Sequence, residues 1–209
     1  PKIKVIAVEP TGAACLKASL EAGEVTTVSK INTIADGTAV QTPGDKLFPY
    51  LQANVDQVIT VDDSELTLSF LDMAENHKMI VENSGLLTVA ALKHLDFKGK
   101  KVVSVLSGGN MDVLTMATVV QNGLMQRDRI FTVSVMLPDK PGQLAAVSAL
   151  IAKEQGNVIK LEHNVFANVN RTAGVELTIT LESFGTEHKD QIIKALETAG
   201  YCPVISKTS

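Results

Sequence analysis

Apolar and polar positions along the chain follow two different rhythms. In the first half, Ile3-Lys4-Val5-Ile6-Ala7-Val8 and Lys101-Val102-Val103-Ser104-Val105-Leu106 are short, β-branched and almost continuously apolar. Such runs predict strands covered on both faces, as in a parallel sheet. Helical stretches are predicted over 13–22, 64–77, 85–95 and 111–125. In the third of these, Leu86, Val89, Ala90 and Leu92 recur at helical spacing. Strand and helix in turn predict an α/β fold: part of an open, mostly parallel sheet with flanking helices.

The second half alternates instead. Val175, Leu177, Ile179 and Leu181 interleave with Glu176, Thr178, Thr180 and Glu182. One apolar and one wet face predict an antiparallel sheet covered on one side. A helix over 142–154 turns Leu144, Val147, Leu150 and Ile151 inward, and one over 186–199 turns Ile192, Ile193 and Leu196 inward. With strands over 130–137, 157–167, 174–183 and 201–206, the order is β-α-β-β-α-β, that of an α+β ferredoxin-like domain. The polar Gln126-Arg127-Asp128 marks the expected boundary, giving domains 1–126 and 127–209. Charge divides there too: residues 1–125 hold ten Lys and no Arg against fourteen acids, while 126–209 hold nine bases and nine acids.

Composition narrows the function classes. The 209 residues are 45% hydrophobic, 20% charged and 4% aromatic, which excludes collagen, a disulfide scaffold and a disordered tail. A net charge of −4 gives no electrostatic attraction to nucleic acid or an anionic membrane, so neither is an expected partner. Two cysteines, Cys15 and Cys202, point to a reducing compartment, and the expected location is the cytoplasm. No apolar run reaches the roughly 18 residues of a membrane span. Pro1 opens a strand-like run without an initiating Met, so a piece of a longer chain is expected.

Four short segments carry candidate chemistry. Ser107-Gly108-Gly109-Asn110 follows an expected strand and opens a helix, where glycines admit a ligand close to the backbone and helix N–H groups face it. A tight turn with a serine cap accounts for the same residues. Val81-Glu82-Asn83-Ser84-Gly85 stands before another helix and reads equally as an N-cap. Thr33-Ile34-Ala35-Asp36-Gly37 reads as a loop. Val8-Glu9-Pro10 ends the first strand, and its carboxylate is either a metal ligand or a surface group.

In this order and spacing the four segments resemble the C-terminal half of the fold type II pyridoxal-phosphate enzymes, the threonine ammonia-lyases (threonine dehydratases) above all, with serine racemases and serine dehydratases as relatives. The resemblance covers about residues 1–125. It implies pyridoxal 5′-phosphate as cofactor, with Ser107 hydrogen-bonding the pyridine nitrogen and Gly37, Glu82 and Gly108 lining the ring. A neutral serine there makes the ring a weaker electron sink than an aspartate would, which suits elimination. Glu9 resembles a carboxylate that binds a cation in some relatives, although a further acid of theirs is Cys15 here. The family's Schiff-base lysine in Ser-Phe-Lys and its glycine-rich phosphate cup are missing, so no catalytic residue is assigned and this chain alone is expected to be inactive.

Leu137-Pro138-Asp139-Lys140-Pro141-Gly142-Gln143-Leu144 and Gly156-Asn157-Val158-Ile159 resemble the ACT domains, ferredoxin-like modules that bind small effectors. The resemblance implies an amino-acid effector at Asp139, Pro141, Gly142 and Asn157, with Asn157 contributed by a paired domain, and a homo-oligomer, dimer or tetramer. The expected activity of the intact enzyme is conversion of threonine to 2-oxobutanoate and ammonia, and of serine to pyruvate. The alternative is a non-catalytic amino-acid-binding and oligomerisation module. A nucleotide-binding domain is a poorer fit, since Glu9-Pro10-Thr11-Gly12 offers a single glycine after the first strand.

Overall fold

A computed structural model of the protein describes residues 3–164 and 174–206. These fall into two compact units, Pro1–Gly123 and Leu124–Ser209.

In the first unit, β1 (Ile6–Pro10) and β2 (Gln57–Val61) pair in parallel, with Val8 opposite Ile59. Between them lie α1 (Cys15–Ala22) and α2 (Phe48–Asn54). After β2 the chain enters α3 (Asp63–Asp72), where the Glu65 carboxylate accepts the Asp62 N–H at 2.9 Å and closes the first turn. A wider turn, Met73–His77, prolongs this helix and ends at Lys78 in a left-handed conformation. A short α4 (Leu87–Ala90) is flanked by 3-10 turns, and α5 (Val113–Gln126) runs past the end of the unit at Gly123. Val61, Leu66, Phe70, Leu86 and Ala90 form a core that water does not reach. Burial of such side chains is the main stabilising term.

Two expectations change here. β2 and α2 were not foreseen, and the run 101–106 forms no strand. A β-branched run becomes a strand only beside a partner, and none of the described strands lies along it. Val103 is accordingly 88% exposed, while side-chain hydroxyls hold the run in place: Thr88 Oγ1 donates to the Val105 carbonyl at 3.1 Å. The first strand also begins at Ile6 and not at Ile3.

The second unit follows its alternation closely. β3 (Ile130–Leu137), α6 (Gln143–Lys153), β4 (Asn157–Asn164), β5 (Val175–Glu182), α7 (Thr186–Thr198) and β6 (Val204–Ser206) form an antiparallel sheet of order β4-β5-β3-β6 under two helices. Each helix follows a strand and leads to one that is not that strand's neighbour, which is the split β-α-β arrangement. Val133, Leu177, Ile179 and Leu181 face Val147, Ile151, Ile192 and Leu196 in one core. On the other face Thr132 pairs with Thr180 and Ser134 with Thr178, hydroxyl to hydroxyl, at 3.0 and 3.1 Å. The last strand is shorter than expected, and residues 165–167 of the strand expected over 157–167 lie outside the described residues.

Asp128 ties this unit together. It takes a left-handed backbone (φ 54°), which aspartate tolerates better than most residues. Its carboxylate meets Lys189 Nζ at 2.9 Å and accepts the Thr186 hydroxyl at 2.7 Å, and its carbonyl accepts the Ser183 hydroxyl. Burial raises its pKa, but the Lys189 and Thr186 hydrogen bonds and the lysine charge outweigh it and hold the carboxyl below its ordinary range. A carboxyl depressed by folding stabilises the native state above its unfolded pKa of about 3.9, and that contribution is lost as pH falls through the folded value. Urea midpoints for the second unit are therefore expected to stay level above about pH 5 and to fall below about pH 4. Asp128→Asn should lower the neutral-pH midpoint and shrink this acid limb; an unchanged limb would refute the assignment.

Candidate functional site

Three loops of the first unit meet around one cavity. The first, 33–38, is anchored by Asp63 at the start of α3: the Thr33 hydroxyl donates to Oδ1 at 2.6 Å and the Ile34 N–H to Oδ2 at 3.1 Å. The loop then makes a 3-10 turn, Asp36–Thr38, over buried Ala35. The second loop, 81–85, is fastened to the first by Asn83, whose Nδ2 donates to the Ile34 carbonyl at 3.0 Å. The third, 107–112, is clasped by Glu82: the Glu82 N–H donates to the Gly108 carbonyl at 3.4 Å, and a carboxylate oxygen accepts the Asn110 N–H at 3.1 Å.

Two glycines make this clasp possible. A Cβ on Gly108, whose φ is +85°, would fall 2.0 Å from a Glu82 carboxylate oxygen. A Cβ on Gly85 would fall 2.1 Å from the Ser107 carbonyl oxygen. Neither spacing is one that a carbon can occupy. Beyond the clasp, Asp112 accepts the Leu114 and Thr115 N–H groups at 2.9 and 3.0 Å, fixing the start of α5. The Thr115 hydroxyl and backbone hydrogen bonds hold its carboxyl below the ordinary range.

The cavity enclosed by these loops has a volume of about 290 Å³. Its wall includes Ile34, Gly37, Ser84 and Met111, three carboxylates (Asp36, Glu82, Asp112), and no Lys, Arg or His. Of the residues expected to surround a ring, Gly37 and Glu82 line it. Ser107 and Gly108 adjoin it through their packing against Gly85 and Glu82. Asn83, Asp112 and Thr115 were not singled out. Asn83 lay within the 81–85 motif but its bond to Ile34, 49 residues away, leaves no local signal, whereas Asp112 could have been found as a helix cap.

Glu9 lies in β1 with both carboxylate oxygens turned to the first turn of α1, accepting the Leu16 and Lys17 N–H groups at 2.8 Å each. Burial first, then the Glu9 charge, pushes the neighbouring Cys15 thiol above its ordinary range. Among the described residues, no three His, Cys, Asp or Glu side chains are grouped to hold a metal ion.

In the second unit, Asp139, Pro141 and Gly142 share one exposed loop before α6. Gly142 is left-handed (φ 91°), with open space where a Cβ would stand. Asn157 opens β4 beyond the other end of α6 and donates to the Glu182 carboxylate at 3.0 Å. The eleven-residue α6, about 16 Å long, lies between Asn157 and that loop in the chain. No helix among the described residues is long and apolar enough to cross a membrane.

Curated relatives include an L-threonine ammonia-lyase of Geobacter sulfurreducens, 36% identical over 204 residues, and one of Thermotoga maritima, 33% identical over 202. Each alignment covers 96% of this chain and 50% of the relative, so the chain spans about half the length of these proteins. Among solved structures, maize serine racemase superposes with a TM-score of 0.52 at 34% identity, covering 58% of this chain and 40% of the racemase. The processed form of threonine deaminase isoform 2 from Solanum lycopersicum gives 0.52 at 29% identity over 57% of this chain and 36% of its own. The family model described as "Pyridoxal-phosphate dependent enzyme" matches residues 1–108, more than half of the sequence, and the chain belongs to that family.

Proposed function

We propose that this chain is the ring-binding and regulatory portion of a threonine ammonia-lyase that converts threonine to 2-oxobutanoate and ammonia, and serine to pyruvate. The observation that carries this reading is the glycine-dependent clasp. Gly85 packs against the Ser107 carbonyl and Gly108 against the Glu82 carboxylate beside one cavity, in a chain of which 96% aligns with L-threonine ammonia-lyases. The residues fit an aromatic ring better than its phosphate. The wall holds apolar Ile34 and Met111 beside Gly37, and its three carboxylates would repel a dianion.

When bound, pyridoxal phosphate supplies the electron sink that stabilises charge left at the substrate Cα. This chain's residues orient that group. The Ser107 hydroxyl, on a segment packed against Gly85, offers a neutral hydrogen-bond donor to the ring nitrogen. Gly37 stands against Ser84 in the wall, where a Cβ on Gly37 would lie 3.0 Å from Ser84 Oγ. Glu82 keeps the 107–110 segment folded. The catalytic amine is not among the residues of this chain, which by itself turns over no substrate.

The second unit reads as an ACT-like regulatory domain. Its β-α-β-β-α-β order and open Gly142 loop support an amino-acid effector, with Asn157 contributed by a second copy. Effector binding would then shift the enzyme between states by roughly 1–3 kcal/mol of coupling. That same loop supports the second reading, a non-catalytic amino-acid-binding and assembly module.

The protein encoded by the whole reading frame, supplied with pyridoxal phosphate, should release 2-oxo acid from threonine and less from serine. Ser107→Ala should weaken cofactor binding about fivefold, the value of one hydrogen bond near 1 kcal/mol, with the melting temperature unchanged. Absence of 2-oxo acid from both substrates would overturn the catalytic reading. Calorimetry with isoleucine, valine, threonine and serine then tests the module.

A further inference from the structure

Asp63 stands outside the wall of the 290 Å³ cavity, at the start of α3. The first turn of that helix is closed between Asp62 and Glu65, so the Asp63 carboxylate is free to reach beyond it. Partial positive charge at the helix start favours an anion there, and both of its oxygens are spent on a segment 30 residues earlier.

From that point a chain of hydrogen bonds runs to the cavity. Thr33 Oγ1 donates to Asp63 and accepts the Ala35 N–H at 3.1 Å. The Ala35 carbonyl accepts the Thr38 N–H at 3.0 Å and the Thr38 hydroxyl at 3.1 Å, closing the turn that carries Asp36 and Gly37. Ala35 is fully buried, so its peptide groups cannot trade these partners for water while the loop stays closed. Ile34 is gripped from two sides: its N–H by Asp63, its carbonyl by Asn83 Nδ2 at 3.0 Å. Leu66 and Phe70 bury α3 in the core, which makes Asp63 the fixed end of this chain of bonds.

We propose that Asp63 is a positioning residue for the cofactor ring: through Thr33 and Ala35 it sets where Gly37 stands in the cavity wall. The inference rests on the reading above in taking this cavity as the ring's site. The geometry asks for a carboxylate, which offers one oxygen to the Thr33 hydroxyl and the other to the Ile34 N–H. An amide keeps a single acceptor and sets its own NH2 against one of those donors.

Asp63→Asn, Thr33→Val and Thr33→Ser are compared with Ser69→Ala, which removes a 2.8 Å hydrogen bond within the same helix and leaves the bonds of the loop alone. Two quantities are read: the Gly37 amide resonance in the 209-residue chain, and pyridoxal phosphate binding by absorbance in the protein encoded by the whole reading frame. Asp63→Asn and Thr33→Val are expected to shift the Gly37 amide and to weaken cofactor binding about tenfold, the effect of losing one hydrogen bond to a charged group. Thr33→Ser, which keeps the hydroxyl, and Ser69→Ala should match wild type in both. A Gly37 amide unmoved by Asp63→Asn, a cofactor affinity unchanged by it, or an equal loss in Ser69→Ala would each overturn the inference. If Asp63→Asn does not fold, Thr33→Val against Thr33→Ser decides the matter. A wild type that takes up no pyridoxal phosphate overturns the cofactor reading as well, whereas wild-type binding that Asp63→Asn leaves intact overturns this inference alone.

Discussion

Phe70→Ala is expected to destabilise the first unit by about 3–5 kcal/mol, the range for removing a buried aromatic ring from a packed core. Phe70 is 1% exposed and lies in the cluster that holds Val61, Leu66 and Leu86. Those neighbours belong to β2, α3 and the turn before α4, so the void left by the ring could close only by moving elements that are already paired or capped. Because β2 leads into α3, and α3 carries the Asp63 anchor of the 33–38 loop, the damage would extend to the cavity. Urea unfolding followed by a probe in the first unit measures the effect. A loss below about 1 kcal/mol would mean that the core is far looser than its burial implies.

Gly85→Ala should cost about 3 kcal/mol, the upper end for an overpacked methyl group. The added carbon would stand 2.1 Å from the Ser107 carbonyl oxygen and 2.8 Å from a Val81 methyl group, and the first of these is backbone that cannot rotate away. The 107–110 segment must then lift off the turn before α4, and the Glu82–Asn110 hydrogen bond goes with it. Both stability and ring binding are therefore expected to fall together. Gly44→Ala is the control: nothing lies within 4 Å of its Cβ position, and its stability should change by no more than about 0.5 kcal/mol. Equal behaviour of the two variants would dismiss the clasp as a determinant of the site.

The second unit was the more legible half of the sequence. Val175, Leu177, Ile179 and Leu181 are buried as their alternation requires, and Val147, Ile151, Ile192 and Leu196 meet them. A half-wet antiparallel sheet writes its two faces into alternate residues. Buried parallel pairing leaves no such trace. Residues 57–61 and 101–106 look alike in composition, yet the first pairs with β1 and the second pairs with nothing among the described residues. Strand formation depends on a neighbour that side-chain periodicity does not contain.

The cavity was legible only through motif resemblance. Periodicity has nothing to say about 33–38, 81–85 or 107–110, which are loops. Even the motifs could not convey that Asn110 acts through its main-chain N–H, or that Asn83 bridges to Ile34 and retains an unpaired oxygen. These relations come from the folding of distant segments against one another.

The Thr132–Thr180 and Ser134–Thr178 pairs also bear on solubility. Sheets aggregate when flat faces interdigitate with the exclusion of water, or when bare edges find new strands. Here the centre of that face carries half-buried hydroxyl groups that hydrogen-bond one another. Lys160 and Glu162 place an ion pair, 2.6 Å apart, on the edge strand β4. A dry zipper between two such faces would have to strip both, so replacing the four hydroxyl residues by valine should leave the fold standing while raising fibre formation, read by thioflavin T fluorescence.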